Sequence, residues 1–233
     1  MGGGGRWSSS VGGKITIMGA LSGVKGMKLD PTPEEREDLR ELLINRVGFQ
    51  DVTGMQDFNN ALLGNYANHL ANLERKYGVI GSTGTVLAGA DGTGFYGAAG
   101  ELGDGRMALV LNKKLGQNRL STYLNAQRRE QAEGYKSATD DKITSVANYT
   151  ITHEYGHLLH AMMAKRLGKT ERQISNEIRQ IAETRYGGSN KNISGYGRTN
   201  GQEFFAEAFA SSQLGAPNPA GKAMLDWLKR NGY

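Results

Sequence analysis

Two histidines four residues apart, the first followed directly by a glutamate, constrain this chain more than any other feature: His153-Glu154-Tyr155-Gly156-His157. The run from Ile143 to about Leu167 predicts a helix around them. At 3.6 residues per turn the two imidazoles stand about 40° apart on one face, one turn from each other. So placed, they can grip a single metal ion. Glu154 lies about 100° round from His153, beside such an ion rather than on it, where a base for a metal-bound water would stand. The pattern HExxH is a zinc-hydrolase signature. Two surface histidines on an amphipathic helix would give the same five letters.

A third ligand decides between these readings, because a catalytic zinc usually takes three protein ligands and a water. The chain has no cysteine, so histidine, aspartate or glutamate must supply it. His160 is one turn beyond His157, but a continuous helix diverges from a metal held by His153 and His157, which favours packing for His160. His69 lies off the apolar stripe of its own helix and is not expected to be a ligand. The better candidates are Glu203 and Glu207, four apart in the Phe- and Ala-rich stretch 200–214, which predicts a helix. Carboxylates at the margin of so apolar a helix are expensive unless paired. Glu203 would coordinate the metal, and Glu207 would accept the outer N–H of a metal-bound histidine. The competing reading is a capping box, with Glu203 reaching back to Asn200.

Composition excludes several function classes. The 233 residues suit one large domain, or one domain plus a tail, and the net charge of +5 is spread diffusely. No basic block with interleaved aromatics points to nucleic acid. No apolar run approaches the roughly 20 residues of a membrane span. Near the N-terminus Ile15-Thr16-Ile17-Met18 is too short for a secretory segment. The location expected is therefore cytoplasmic, or that of a delivered or virion-associated protein.

Residues 1–29 read as a flexible Gly/Ser-rich tail, as in a domain joined to a larger precursor or particle, or as in an ordinary terminus. Residues 30–233 read as one α+β domain. Asp30-Pro31-Thr32-Pro33-Glu34-Glu35 predicts a helix start, with Leu39, Leu42, Leu43 and Val47 on its stripe. A second helix is expected from about Gln56 to Tyr77. Val79-Ile80, Thr85–Leu87, Phe95–Gly100 and Met107–Leu111 are β-prone, predicting a small twisted mixed sheet with turns at Asp91–Gly94 and Gly103–Gly105. Asp140 and Asp141 can cap the HExxH helix. Beyond it the chain predicts a mainly helical C-terminal lobe, with helices at 170–186, 200–214 and after Pro219.

The segment Ile193-Ser194-Gly195-Tyr196-Gly197-Arg198-Thr199-Asn200-Gly201-Gln202-Glu203-Phe204-Phe205-Ala206-Glu207-Ala208-Phe209 resembles the C-terminal motif of the anthrax lethal factor catalytic-domain family. These are zincin-like metallopeptidases of the gluzincin type, related to the Pro-Pro endopeptidases and to bacteriophage and mobile-element homologues. His153–His157 is similar to that family's HExGH helix, and the likeness covers about residues 143–215. It implies a zinc endopeptidase with one Zn2+ per chain held by His153, His157 and Glu203. It further implies Glu154 as general base, Tyr196 as stabiliser of the oxyanion, and a protein or peptide substrate extended along a sheet edge near Tyr96, Gly97 and Ala98. The alternative is a zinc-binding structural or interaction module with little or no turnover.

Overall fold

A computed structural model describes residues 39–56, 58–91, 95–117, 120–140 and 142–233. The tail, the helix start at Asp30 and the Asp141 cap lie outside them, as does most of the Asp91–Gly94 turn. The described chain is α+β, mostly helical with one small mixed sheet. It divides into two compact units, one up to Asn125 and one from Ala126.

In the first unit a π-helical turn, Leu43–Val47, leads into a four-stranded sheet. Its strands are β1 (Asp51–Thr53), β2 (Val86–Ala90), β3 (Gly97–Glu101) and β4 (Met107–Asn112), in the order β1-β2-β4-β3. β1, β2 and β4 run parallel, and β3 joins β4 antiparallel at an edge, pairing Ala98 with Val110 and Gly100 with Ala108. The β3–β4 hairpin is closed by the expected turn, with Leu102 N donating to Arg106 O at 2.7 Å. Helix α1 (Asn60–Tyr77) starts later than the sequence suggests. Asn59 caps it, its side chain accepting from Ala61 N and Leu62 N.

Val79-Ile80 is not a strand. It opens a helical turn, α2 (Val79–Thr83), directly after Gly78 ends α1 in the left-handed conformation at φ 63°. The cause is Glu74, whose carboxylate accepts from Ile80 N at 2.7 Å and Gly81 N at 3.2 Å. A side-chain anion at the start of the turn overrides the β preference of two residues. A short turn α3 (Lys113–Gly116) follows β4, and α4 (Leu120–Ala132) runs across the division between the units.

The second unit carries α5 (Ile143–Ala147), α6 (Tyr149–Leu167), α7 (Glu171–Tyr186), α8 (Gly201–Gln213) and α9 (Pro219–Arg230). The helix expected over 143–167 is thus two helices, interrupted at Asn148, whose ψ of −2° leaves the helical well. α6 is buried on nearly every side, with Tyr155, Leu158, Leu159 and Met163 inaccessible to solvent. His153 is a core residue on this helix and His157 is half-buried, so the HExxH segment is not an open surface stripe.

α8 packs along α6, its Phe204, Phe205 and Phe209 fully buried. Contact is closest at Gly156, where a Cβ would stand 3.0 Å from Ala206 Cα and 3.4 Å from Phe209 Cβ. The glycine inside the HExxH segment is therefore what lets the two helix backbones approach. Gly156→Val should destabilise the fold by about 3 kcal/mol through overpacking and, by parting the helices, weaken any metal binding that needs side chains from both. Urea denaturation and a metal titration on the same variant check both.

Candidate metal centre

Helix geometry sets the first two donors. His153 and His157 stand one turn apart on α6, with their Nε2 atoms 3.1 Å from each other. Glu203 enters from the first turn of α8, its Oε2 3.1 Å from His153 Nε2 and 3.4 Å from His157 Nε2. The competing reading, a capping box, is only half realised. Asn200 Oδ1 accepts from Glu203 N at 2.9 Å, but the Glu203 carboxylate turns toward the histidines instead of returning to the helix start. His153 is buried, His157 and Glu203 half-buried.

These three side chains could hold a metal ion. First-row metals bind imidazole and carboxylate at about 2.0–2.2 Å, which in a tetrahedral site spaces the donors roughly 3.3 Å apart. The observed spacings of 3.1, 3.1 and 3.4 Å fit that demand. Three lone-pair atoms this close repel unless a cation or a proton lies among them.

Glu207, one turn beyond Glu203, is buried to 1% exposure. Its Oε1 stands 2.9 Å from His153 Nδ1, though off the line of the ring N–H. Its Oε2 accepts from the Tyr149 hydroxyl at 2.5 Å, from Ser137 N at 3.0 Å and from Ser137 Oγ at 2.8 Å. A contact with Ser194 also helps to hold the Glu207 carboxyl below the usual range. Tyr149 is four residues before His153, on the same helical face. Its spacing was visible in the sequence, but its contact with Glu207 was not. Ser137 and Ser194 sit in loops and carried no sequence signal.

Lys136 is a second side chain that the motifs do not reveal. Its Nζ donates to Gln127 Oε1 at 2.7 Å, pairs with Glu130 Oε2 at 2.8 Å and lies 5.5 Å from the centre of the Tyr149 ring. Burial lowers its pKa, opposed by Glu130 and, at longer range, by Glu207 and Glu154.

Glu154 is buried beside the donors, and that burial raises its pKa against the pull of His153 and His157. Tyr196 opens a 3-10 turn, Tyr196–Arg198, that lies on Glu207: a Cβ at Gly197 would stand 3.0 Å from Glu207 Cβ. The Tyr196 ring is half exposed at 51%, its centre 5.8 Å from that of His153. Its phenol pKa is raised by partial burial and by the Glu203 and Glu154 charges. His160 is not among the donors. Tyr96, Gly97 and Ala98 belong to the first unit, at and before the edge strand β3. Comparison with protein-family profiles, with characterised proteins and with solved structures finds no match to this chain.

Without a metal, a proton does the neutralising. Burial alone would lower the pKa of His153, but its close contacts with the Glu203 and Glu207 carboxylates outweigh it and raise it to about 10. Burial raises both glutamates, yet their contacts with His153 bring each down to about 2. The imidazolium binds its proton more tightly folded than unfolded. Its contribution to stability is complete below its ordinary 6.5 and is lost as pH rises through about 10. The glutamates contribute above their ordinary 4.5, and that stability is lost as pH falls through about 2. The metal-free protein should therefore melt at falling temperature as pH rises above about 6.5. Metal must displace the His153 proton, so its apparent affinity should rise by up to about tenfold per pH unit between about pH 6 and pH 8. Scanning calorimetry and calorimetric titration in buffers of different ionisation enthalpy check the two trends.

Proposed function

We propose that this chain is a zinc-dependent endopeptidase whose centre is His153, His157 and Glu203, with Glu154 as general base. The observation that carries this is the close triangle of two imidazoles and one carboxylate with a buried second carboxylate beside it. Imidazole and carboxylate without thiolate suit zinc, among other first-row metals. The HExxH spacing and the likeness of residues 193–209 to the lethal factor-like gluzincins favour zinc and peptide hydrolysis over the other metals and chemistries.

Zinc, when bound, supplies Lewis-acid polarisation of a carbonyl and lowers the pKa of its water. The remaining work falls to this chain's side chains. Glu154, its pKa raised by burial, is suited to take a proton from water at neutral pH and to return it to the departing amine. Glu207 holds the His153 ring from behind, leaving Nε2 for the metal. The Tyr196 hydroxyl can donate to oxygen as negative charge develops on it. The same likeness implies a peptide extended along a sheet edge near Tyr96, Gly97 and Ala98; of these, Tyr96 already uses its carbonyl to accept from Asn112 N of β4.

The competing reading, a metal-holding interaction module without turnover, differs in one readout. Glu154→Gln should keep metal stoichiometry and lose cleavage of a peptide library by at least about 100-fold, the scale of general-base catalysis. Tyr196→Phe should lose about 10- to 100-fold in kcat with little change in metal affinity. A wild-type protein that binds zinc and cleaves nothing in a broad library makes the module reading the correct one.

A further inference from the structure

His160 follows His157 by one turn but is not among the three candidate donors. It is 1% exposed and stacks on Phe205 of α8, ring centres 4.0 Å apart and planes 6° apart. Its Nε2 stands 2.9 Å from Glu171 O and 3.4 Å from Ser175 Oγ. A carbonyl only accepts, so Nε2 carries the hydrogen and Nδ1 is bare. Burial lowers the ring's pKa to about 4, in keeping with that neutral form. Among the described residues no group pairs with the buried Nδ1. A leucine would fill the space against Phe205 without burying an unpaired nitrogen, so packing alone does not account for an imidazole here.

The donors run in one direction. Ser175 Oγ accepts from His160 and donates to Gly201 O at 2.6 Å, in the first turn of α8. Two neighbouring contacts grip the same turn. Gln202 Nε2 donates to Glu171 Oε2 at 2.5 Å, and the Arg179 guanidinium lies 3.5 Å from Asn200 O and 4.2 Å from the centre of the Phe204 ring. Residues 200, 201 and 202 are thus each held by α7, and residue 203 is the third metal donor.

We propose that His160 and Ser175 are positioning residues for the metal, forming a strut from the metal helix through α7 to the first turn of α8 that sets where the Glu203 carboxylate stands. The inference rests on the metal-centre reading above but not on turnover. Ser175 touches no donor, so its effect on metal affinity has to pass through the placement of Glu203.

The test measures zinc dissociation constants by competition with a chromophoric chelator, and the Co2+ absorption spectrum, on the full chain. Ser175→Ala and His160→Leu should weaken zinc about 10- to 100-fold, the range for residues that orient metal ligands. They should also change the Co2+ spectrum while metal-free Ser175→Ala melts within a few degrees of wild type. His160→Gln, which can place an amide N–H near the Nε2 position, should restore most of the affinity. In a Glu203→Ala background Ser175→Ala should have no further effect on the residual affinity of the two histidines. An unchanged zinc constant in Ser175→Ala, or a loss of equal size with and without Glu203, overturns the strut. If His160→Leu does not fold, Ser175→Ala and the double variant still decide. A wild-type chain that takes up no metal overturns both the strut and the metal centre, whereas metal uptake without peptide cleavage leaves the strut standing and removes only the enzyme.

Discussion

Glu207 is a full charge in a place where water does not reach, and the arrangement around it follows from that. A buried carboxylate is tolerated only with compensating donors and a cation nearby. Here the Tyr149 hydroxyl, the backbone and side chain of Ser137 and the His153 imidazole all converge on it. Tyr149 and His153 come from α6 and Ser137 from the loop before α5, while Glu207 itself belongs to α8. Satisfying one charge therefore fixes three segments, and it fixes the His153 ring with its second nitrogen aimed at Glu203 and His157.

Close helix packing makes this possible. The side chains of Glu203 and Glu207 reach the histidines because α6 and α8 touch almost backbone to backbone at Gly156 and Ala206. Fully buried Phe204 and Phe205 between the two glutamates, and Phe209 beyond them, anchor α8, so the carboxylates sit on a rigid element with little freedom to drift. The turn carrying Tyr196 is laid on the same spot, with Gly197 against Glu207. The three candidate donors, their supports and the half-exposed phenol thus share one packed framework within the second unit.

Much of this was legible in the sequence, for physical reasons. The four-residue spacing of His153 and His157, and of Glu203 and Glu207, survives any error in helix boundaries, because helical periodicity alone puts each pair on one face. The break at Asn148 left the metal helix intact. What the sequence concealed depends on tertiary contact: Ser137 and Lys136 reach the site from a loop, and His160 acquires its place only when α7 folds across α6 and α8. In the first unit, Glu74 capping the turn at Val79–Thr83 defeated a local β preference through a contact six residues away. Asn200 shows the opposite case, where two readings of one motif coexist: it caps α8 while Glu203 is left to the histidines.

In the proposed centre two helices bring two imidazoles and the Glu203 carboxylate to one ion. X-ray absorption at the metal edge, on protein loaded with a single equivalent of zinc, tests this arrangement. One ion per chain, two imidazole ligands, and a loss of one oxygen scatterer or its replacement by water in Glu203→Ala are expected. A spectrum with one imidazole or none, or one unchanged in both metal affinity and ligand shell by Glu203→Ala, would contradict it.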